Sequence, residues 1–223
     1  GAGLPPVPKP NLICLSNAHA LMTSSVLGRH CEWVHNGIPV EAFPFQKEKG
    51  ERFLFLSRIA RFKGPHEAIA LAERLRVPLD VVGEDRFVGD PPYVHQVMNA
   101  CRGMARYWGE VPHARKIEFL KNAKAVVLPL LWQEPFGIVP IEANACGTPV
   151  VTLDYPGSSM REIVQDGVNG FLCKSIPEMD EAVKNVGDIK PEECRRVVEE
   201  KFTAKLQAER YVKLYERVVE GGW

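Results

Sequence analysis

Ala125-Val-Val-Leu-Pro-Leu-Leu131 leads, two residues later, into Glu134-Pro-Phe-Gly-Ile-Val-Pro-Ile-Glu142, and the reading of this junction decides the fold. The first run is short and apolar throughout, as a strand covered on both faces is. The second reads as a helix from Pro135 to Cys146. A carboxylate then stands at the carboxyl end of a strand, an aromatic residue and a glycine open the helix, and a second carboxylate follows two turns on. Ligands of open α/β sheets bind outside the carboxyl ends of the strands. A helix N-terminus placed there offers free N–H groups and the positive end of its dipole to an anion. Eight residues at helical rise cover about 12 Å, which suits a sugar at one end, a ribose at the other and a diphosphate between. The spacing therefore points to a nucleotide-sugar, with Glu134 and Glu142 accepting from hydroxyls. The plainer reading is a first-turn acid at Glu134 and a solvated Glu142.

Outward from this junction the pattern repeats. Short apolar runs at 11–16, 32–35, 53–57, 79–83, 107–109, 149–153 and 170–173 alternate with helical stretches at 17–27, 65–75, 93–102, 113–121, 159–165 and 179–186. Pro65 suits the first position of its helix, and Ala68, Ile69, Ala72 and Leu75 follow at helical spacing. Alternation of this kind predicts an α/β fold, a Rossmann-like parallel sheet with helices on both faces. Charged residues and Gly50 make 46–52 a linker. Helices at 192–202 and beyond close the chain, the last with a stripe of Tyr211, Leu214, Tyr215 and Val218.

Composition narrows the class. The 223 residues carry 28 Lys+Arg against 28 Asp+Glu, so the clustered positive charge of a nucleic-acid or membrane-surface protein is not expected. No apolar stretch reaches membrane-spanning length. The six cysteines, at 14, 31, 101, 146, 173 and 194, have no regular spacing, and a reduced, cytoplasmic setting is the expectation. The six histidines form no metal-ligand pattern, so neither metal nor cofactor is expected.

Further loops fall at the same sheet edge. Ser57-Arg58 and Lys63-Gly64 follow a strand, and a guanidinium with an ammonium makes a clamp for a leaving diphosphate. An ordinary basic surface loop is the alternative. Gly83-Glu84-Asp85 and Gly109-Glu110-Val111 let backbone approach a flat base or a sugar, and Gly157-Ser158-Ser159 offers hydroxyls and amides. Trp132 and Gln133 read as packing, with the lining of a pocket as the alternative.

Together, Asn36-Gly-Ile-Pro39, Ser57-Arg58 with Lys63-Gly64, Glu134-Pro-Phe-Gly137 with Glu142, Ala145-Cys-Gly-Thr-Pro-Val150, and Glu162-Ile-Val with Gly167-Val-Asn-Gly170 resemble the C-terminal half of retaining glycosyltransferases of GT-B fold, glycosyltransferase family 4 (group 1 type). The resemblance implies transfer of a hexose from a UDP-, GDP- or ADP-sugar to an acceptor hydroxyl. Arg58 and Lys63 would hold the diphosphate as it leaves, and Glu134 the sugar hydroxyls. Phe136, Gly137 and Ile138 would give backbone contacts, Glu142 would take the ribose, and the Gly109-Glu110-Val111 loop would lie against the base; Gly83, from its place after a strand, is a further donor-binding candidate. It also implies a domain plan: 1–45 as the last elements of an N-terminal domain, 46–203 as the nucleotide-sugar domain, 204–223 as a helix crossing back. The glycine-rich loop and histidine of the family's N-terminal domain are absent, so a fragment or one part of a split enzyme is expected, inactive alone. Its acceptor (sugar, lipid or small molecule) would bind through the missing domain, and the bared interdomain face would favour self-association. Ser158 to Glu162 depart from the glycine pair and proline that relatives often carry. A non-catalytic binding module, or the donor subunit of a two-chain transferase, is the alternative.

Overall fold

The computed structural model describes residues 11–84 and 89–221; Asp85, assigned above to a loop at the sheet edge, lies outside the described residues. The chain begins with β1 (Ile13–Cys14), α1 (Asn17–Leu27) and β2 (Glu32–Trp33). It continues through β3 (Phe53–Leu56), α2 (Pro65–Leu75), β4 (Leu79–Val82), α3 (Pro91–Ala100), β5 (Ala105–Gly109), α4 (His113–Asn122) and β6 (Val126–Leu128). Then come α5 (Ile138–Ala145), β7 (Val150–Leu153), α6 (Met160–Ile163), β8 (Gly170–Cys173), α7 (Ile176–Asn185), α8 (Pro191–Lys201) and α9 (Ala204–Val219).

Strands β3 to β8 form one parallel sheet in the order β5-β4-β3-β6-β7-β8. The chain winds outward from β3 in one direction, crosses back, and winds outward from β6 in the other. The order reverses between β3 and β6, the place where doubly wound sheets open a ligand crevice. All residues of β3, β4, β6 and β7 are buried, because helices cover both faces: α2 packs on α3 and α7, and α5 on α4 and α8. Asp80, within β4, is the buried charge in this apolar layer. Arg52 and the indole N–H of Trp108 both donate to it, each at 2.8 Å, which compensates its loss of water.

Residues 11–37 make a smaller unit. β1 pairs with β2 in parallel, and Cys14, Ala20 and Cys31 form a core of their own with Leu12 against it. Ile38, Val40 and Phe43 already belong to the main core. Helix α9 returns along the small unit. Its cap residue Thr203 bridges to Ile38, Gln207 accepts from the Gly37 amide at 3.0 Å, and Arg217 reaches Glu32 at 2.7 Å.

Caps account for where several helices differ from expectation. Ser175 accepts from the Glu178 amide, so α7 opens at Ile176 rather than 179. Asp90 accepts from the Tyr93 amide at 3.1 Å, so α3 opens at Pro91. Helix α5 is shorter than 135–146 and begins at Ile138. Gly137 there takes φ 87°, outside helical backbone. The carbonyls before it are bound elsewhere, Pro135 by Ser16 Oγ and Phe136 by Ser159 Oγ, both at 2.7 Å. Glu134 therefore sits in an irregular connection, and the helical estimate of its distance from Glu142 does not apply.

Candidate functional site

A cleft of about 310 Å³ opens at the reversal of strand order. The ends of β3 and β6 supply Leu56, Ser57, Leu128 and Leu130; Arg58, Lys63, Trp132 and Glu134 come from the loops beyond; Phe136, Gly137, Ile138 and Val139 come from the entry to α5. Leu15 and Asn36 of the small unit complete one wall. The structure thus brings together six of the expected residues: Arg58, Lys63, Glu134, Phe136, Gly137 and Ile138.

Tight backbone joints set the basic loop. Gly64 takes φ 71°, and a Cβ there would lie 2.1 Å from the Pro129 carbonyl oxygen. The turn Arg61–Lys63 therefore packs directly on the segment that follows β6, and the Leu131 amide donates to Phe62 O at 2.8 Å. This carries Lys63 across to Glu134. Both side chains are about 10% exposed, 11% and 10% respectively, and the ammonium donates to Glu134 Oε2. Trp132 Nε1 donates to the same oxygen at 3.0 Å. Lys63 Nζ lies 4.6 Å from the Trp132 ring and 5.8 Å from that of Phe62. Burial pushes the Lys63 ammonium below its ordinary range, against the pull of Glu134 that favours its charge. Arg58 is exposed at the mouth, its guanidinium 5.6 Å from the Phe62 ring.

No side chain caps α5, so its first turn presents backbone N–H groups at the cleft floor, where Ile138 and Val139 lie. The cleft thus combines an exposed cation at its mouth, a buried cation–carboxylate pair, an aromatic wall and a helix N-terminus. That set can bind an anion beside a polyhydroxylated group, holding one by charge and amides and the other by the carboxylate.

Four expected residues lie outside this lining. Glu142 is buried on α5 and accepts from Lys116 of α4 at 2.6 Å. Gly83 joins strand ends: its amide donates to Gly109 O at 2.8 Å, and its carbonyl accepts from Tyr107 Oη at 2.9 Å. Glu110 borders a second hollow, with Glu84, Tyr107, Trp108 and Gly109. Val111 is half-buried and packs on the main core. Trp132, for which packing is the first reading and pocket lining the alternative, is a wall of the cleft. Asn36 also belongs to the wall, where its Oδ1 accepts from Gln207 at 3.3 Å. Nothing in its Asn-Gly turn pattern pointed across the fold.

The motifs around 145–150 and 162–170 are structural joints. Asn144 and Asn169, both fully buried, exchange a hydrogen bond at 2.9 Å and close onto Thr148 and Ile163 carbonyls. Thr148 Oγ1 donates to Leu120 O. Glu162 accepts from the Asn17 and Ala18 amides at the start of α1, at 3.0 and 2.8 Å, and from His35 Nε2 at 2.7 Å. Among the described residues, no three His, Cys, Asp or Glu side chains gather as metal ligands, and no helix is long and apolar enough to cross a membrane.

Comparison with known proteins adds four findings. The family model described as glycosyl transferases group 1 matches residues 40–202. A glycogen synthase of Mycobacterium tuberculosis is 32% identical over 169 residues, 70% of this chain and 39% of that protein; the chain thus spans well under half the length of this relative. Among solved structures, a glycosyltransferase involved in avilamycin A biosynthesis superposes with TM-score 0.75 at 24% identity, over 94% of this chain and 64% of that one. An Anabaena protein solved with UDP and glucose gives TM-score 0.79 at 19% identity, over 92% and 63%; these likenesses show the fold.

Proposed function

The chain belongs to the group 1 glycosyl transferases and has the fold of the C-terminal, Rossmann-like half of a GT-B enzyme, and from that premise we propose that its switch-point cleft is the donor site of a hexosyltransferase. The donor is a nucleotide diphosphate sugar, and transfer to an acceptor hydroxyl retains anomeric configuration. The observation that carries this reading is the convergence of Arg58, Lys63 and Glu134 on the uncapped start of α5.

In this scheme the diphosphate lies over the first turn of α5, and Arg58 and Lys63 neutralise the charge that grows on it as the glycosidic bond breaks. Lys63 already stands at the cleft, paired with Glu134, and turns toward the phosphate when the donor binds. Glu134 accepts from sugar hydroxyls, while the backbone of Phe136, Gly137 and Ile138 lines the sugar–phosphate junction. The ribose reaches Glu142 together with Lys116, and the base lies toward Gly83, Glu110 and Val111. The neighbour solved with UDP and glucose favours UDP over GDP or ADP as the first nucleotide to test. Residues 1–45 are the last elements of an N-terminal domain that holds the acceptor, with Ile38, Val40 and Phe43 reaching into the core of the donor domain; 46–203 form the donor domain, and the helix from 204 onward crosses back. The Arg217–Glu32 and Gln207–Gly37 contacts support that crossing, and the chain's 39% share of its relative's length supports a further domain. The setting is cytoplasmic.

The test is transfer by the complete protein, with product anomers assigned by proton NMR. Arg58→Ala and Lys63→Ala should each lower turnover at least a hundredfold, the scale of one lost oxyanion donor. Near-wild-type turnover in both, or an inverted product, contradicts the scheme.

A further inference from the structure

We propose that Trp132 is a positioning residue of the donor site, which aims one oxygen of Glu134 at the sugar and holds Lys63 on the diphosphate side. The proposal rests on the donor-site reading above.

Three observations converge on the indole. Its Nε1–H donates to Glu134 Oε2 at 3.0 Å. Its ring lies 4.6 Å from Lys63 Nζ, and Lys63 donates to that same Oε2. Its ring also meets Phe62, centroids 4.8 Å apart at 51°, and the Leu131–Phe62 backbone bond fixes that partner. Two donors on Oε2 orient the carboxylate, and among the described residues none reaches Oε1. That oxygen is the acceptor left for a sugar hydroxyl.

The two donors do not remain equal once donor binds. A diphosphate beside Lys63 competes with Glu134 for the ammonium. A carboxylate held by the ammonium alone would follow it, because the terminal torsion of Glu is soft. The indole N–H bears no charge and makes no contact that a phosphate would draw away. It keeps Glu134 in place while Lys63 turns, and the ring face keeps the ammonium from leaving the wall. Phenylalanine retains the ring and removes the N–H; leucine removes both.

The experiment is calorimetric titration of wild type, Trp132→Phe and Trp132→Leu with UDP and with UDP-glucose, alongside melting temperatures; GDP and ADP pairs follow if UDP does not bind. For Trp132→Phe, the ratio of the UDP-glucose to the UDP dissociation constant should rise about tenfold, as for a lost hydrogen bond to a charged group. UDP alone should bind within about twofold of wild type, since the ring still faces Lys63. Trp132→Leu should also weaken UDP, by about threefold. A role in packing alone would lower melting temperature and leave the ratio unchanged, and an unchanged ratio in Trp132→Phe overturns the proposal. If the wild type binds no nucleotide and no nucleotide-sugar, the donor-site reading falls and the proposal with it.

Discussion

Lys63 and Glu134 sit deep enough that each depends on the other. Removing one member of a buried pair leaves the second without compensation, typically about 3 kcal/mol. Lys63→Met should therefore lower the urea midpoint clearly, whereas Arg58→Ala, at an exposed position, should leave it near wild type. Equal midpoints in the two variants would show that the pair does not hold the cleft together. Gly83 is sensitive for a different reason. Its φ is +139°, and a Cβ would fall 1.8 Å from the Ser57 carbonyl oxygen. Gly83→Ala should cost about 2–3 kcal/mol, as strained backbone does, and should disturb the loop that carries Arg58; a melting curve matching wild type would refute this. Six of the ten expected residues line the cleft, because position after a strand determines where a residue lies in a parallel sheet. Sequence leaves Trp132 between packing and lining, since an indole before a glutamate packs or binds according to neighbours that only the folded chain supplies. Glu142 could be placed on its helix, but its pairing with Lys116 depends on how α4 crosses the sheet.

At the scale of elements, the strand alternation was readable because strands buried on both faces must be apolar throughout. The start of α5 was not, because two serines far away in sequence, Ser16 and Ser159, bind the carbonyls of Pro135 and Phe136. Glu162 is another long-range joint. It caps α1 and meets His35, tying the small unit to the main sheet. Burial works to raise its carboxyl, but the bonds from His35, Ala18 and Asn17 prevail and hold it below its ordinary 4.5. A carboxyl depressed by folding adds stability above its unfolded value, and that stability is lost as pH falls through the folded one. Protection of the α1 amides, corrected for the intrinsic exchange rate, should therefore fall as pH drops below 4.5. In Glu162→Gln it should be low already at pH 7. Protection that ignores both pH and substitution would mean that the clamp does not secure α1.

The whole molecule carries a second pH signature, at the alkaline end. Burial pushes the thiols of Cys101 and Cys146 up to about 11 and those of Cys173 and Cys194 to about 12, from 9.0. Tyr93 and Tyr107 are raised as well. Above pH 9 the unfolded chain sheds protons that the folded chain keeps, so stability falls as pH rises. Lys49, which burial lowers to about 8, and Lys63, also lowered, act the other way. With Cys14 raised by burial too, five thiols and two phenols outweigh two ammonium groups, and the urea midpoint should drop between pH 9 and 11; a rise would refute this balance. We propose that copies associate through the outer faces of α1 and α9. Leu21, Val26, Val212, Tyr215 and Val219 are each more than half exposed, and apolar faces of this kind promote contact between copies. Sedimentation should show Tyr215→Glu with Val219→Glu shifting the chain toward monomer.

The central claim is a donor site at the reversal of strand order, and calorimetric titration of this chain with UDP, GDP and ADP tests it most directly. Wild type should bind at least one of the three, and Arg58→Ala should weaken that binding at least tenfold, the lower range for a charged hydrogen bond. Binding that survives Arg58→Ala and Lys63→Ala unchanged, or no binding of any nucleotide, would contradict the account.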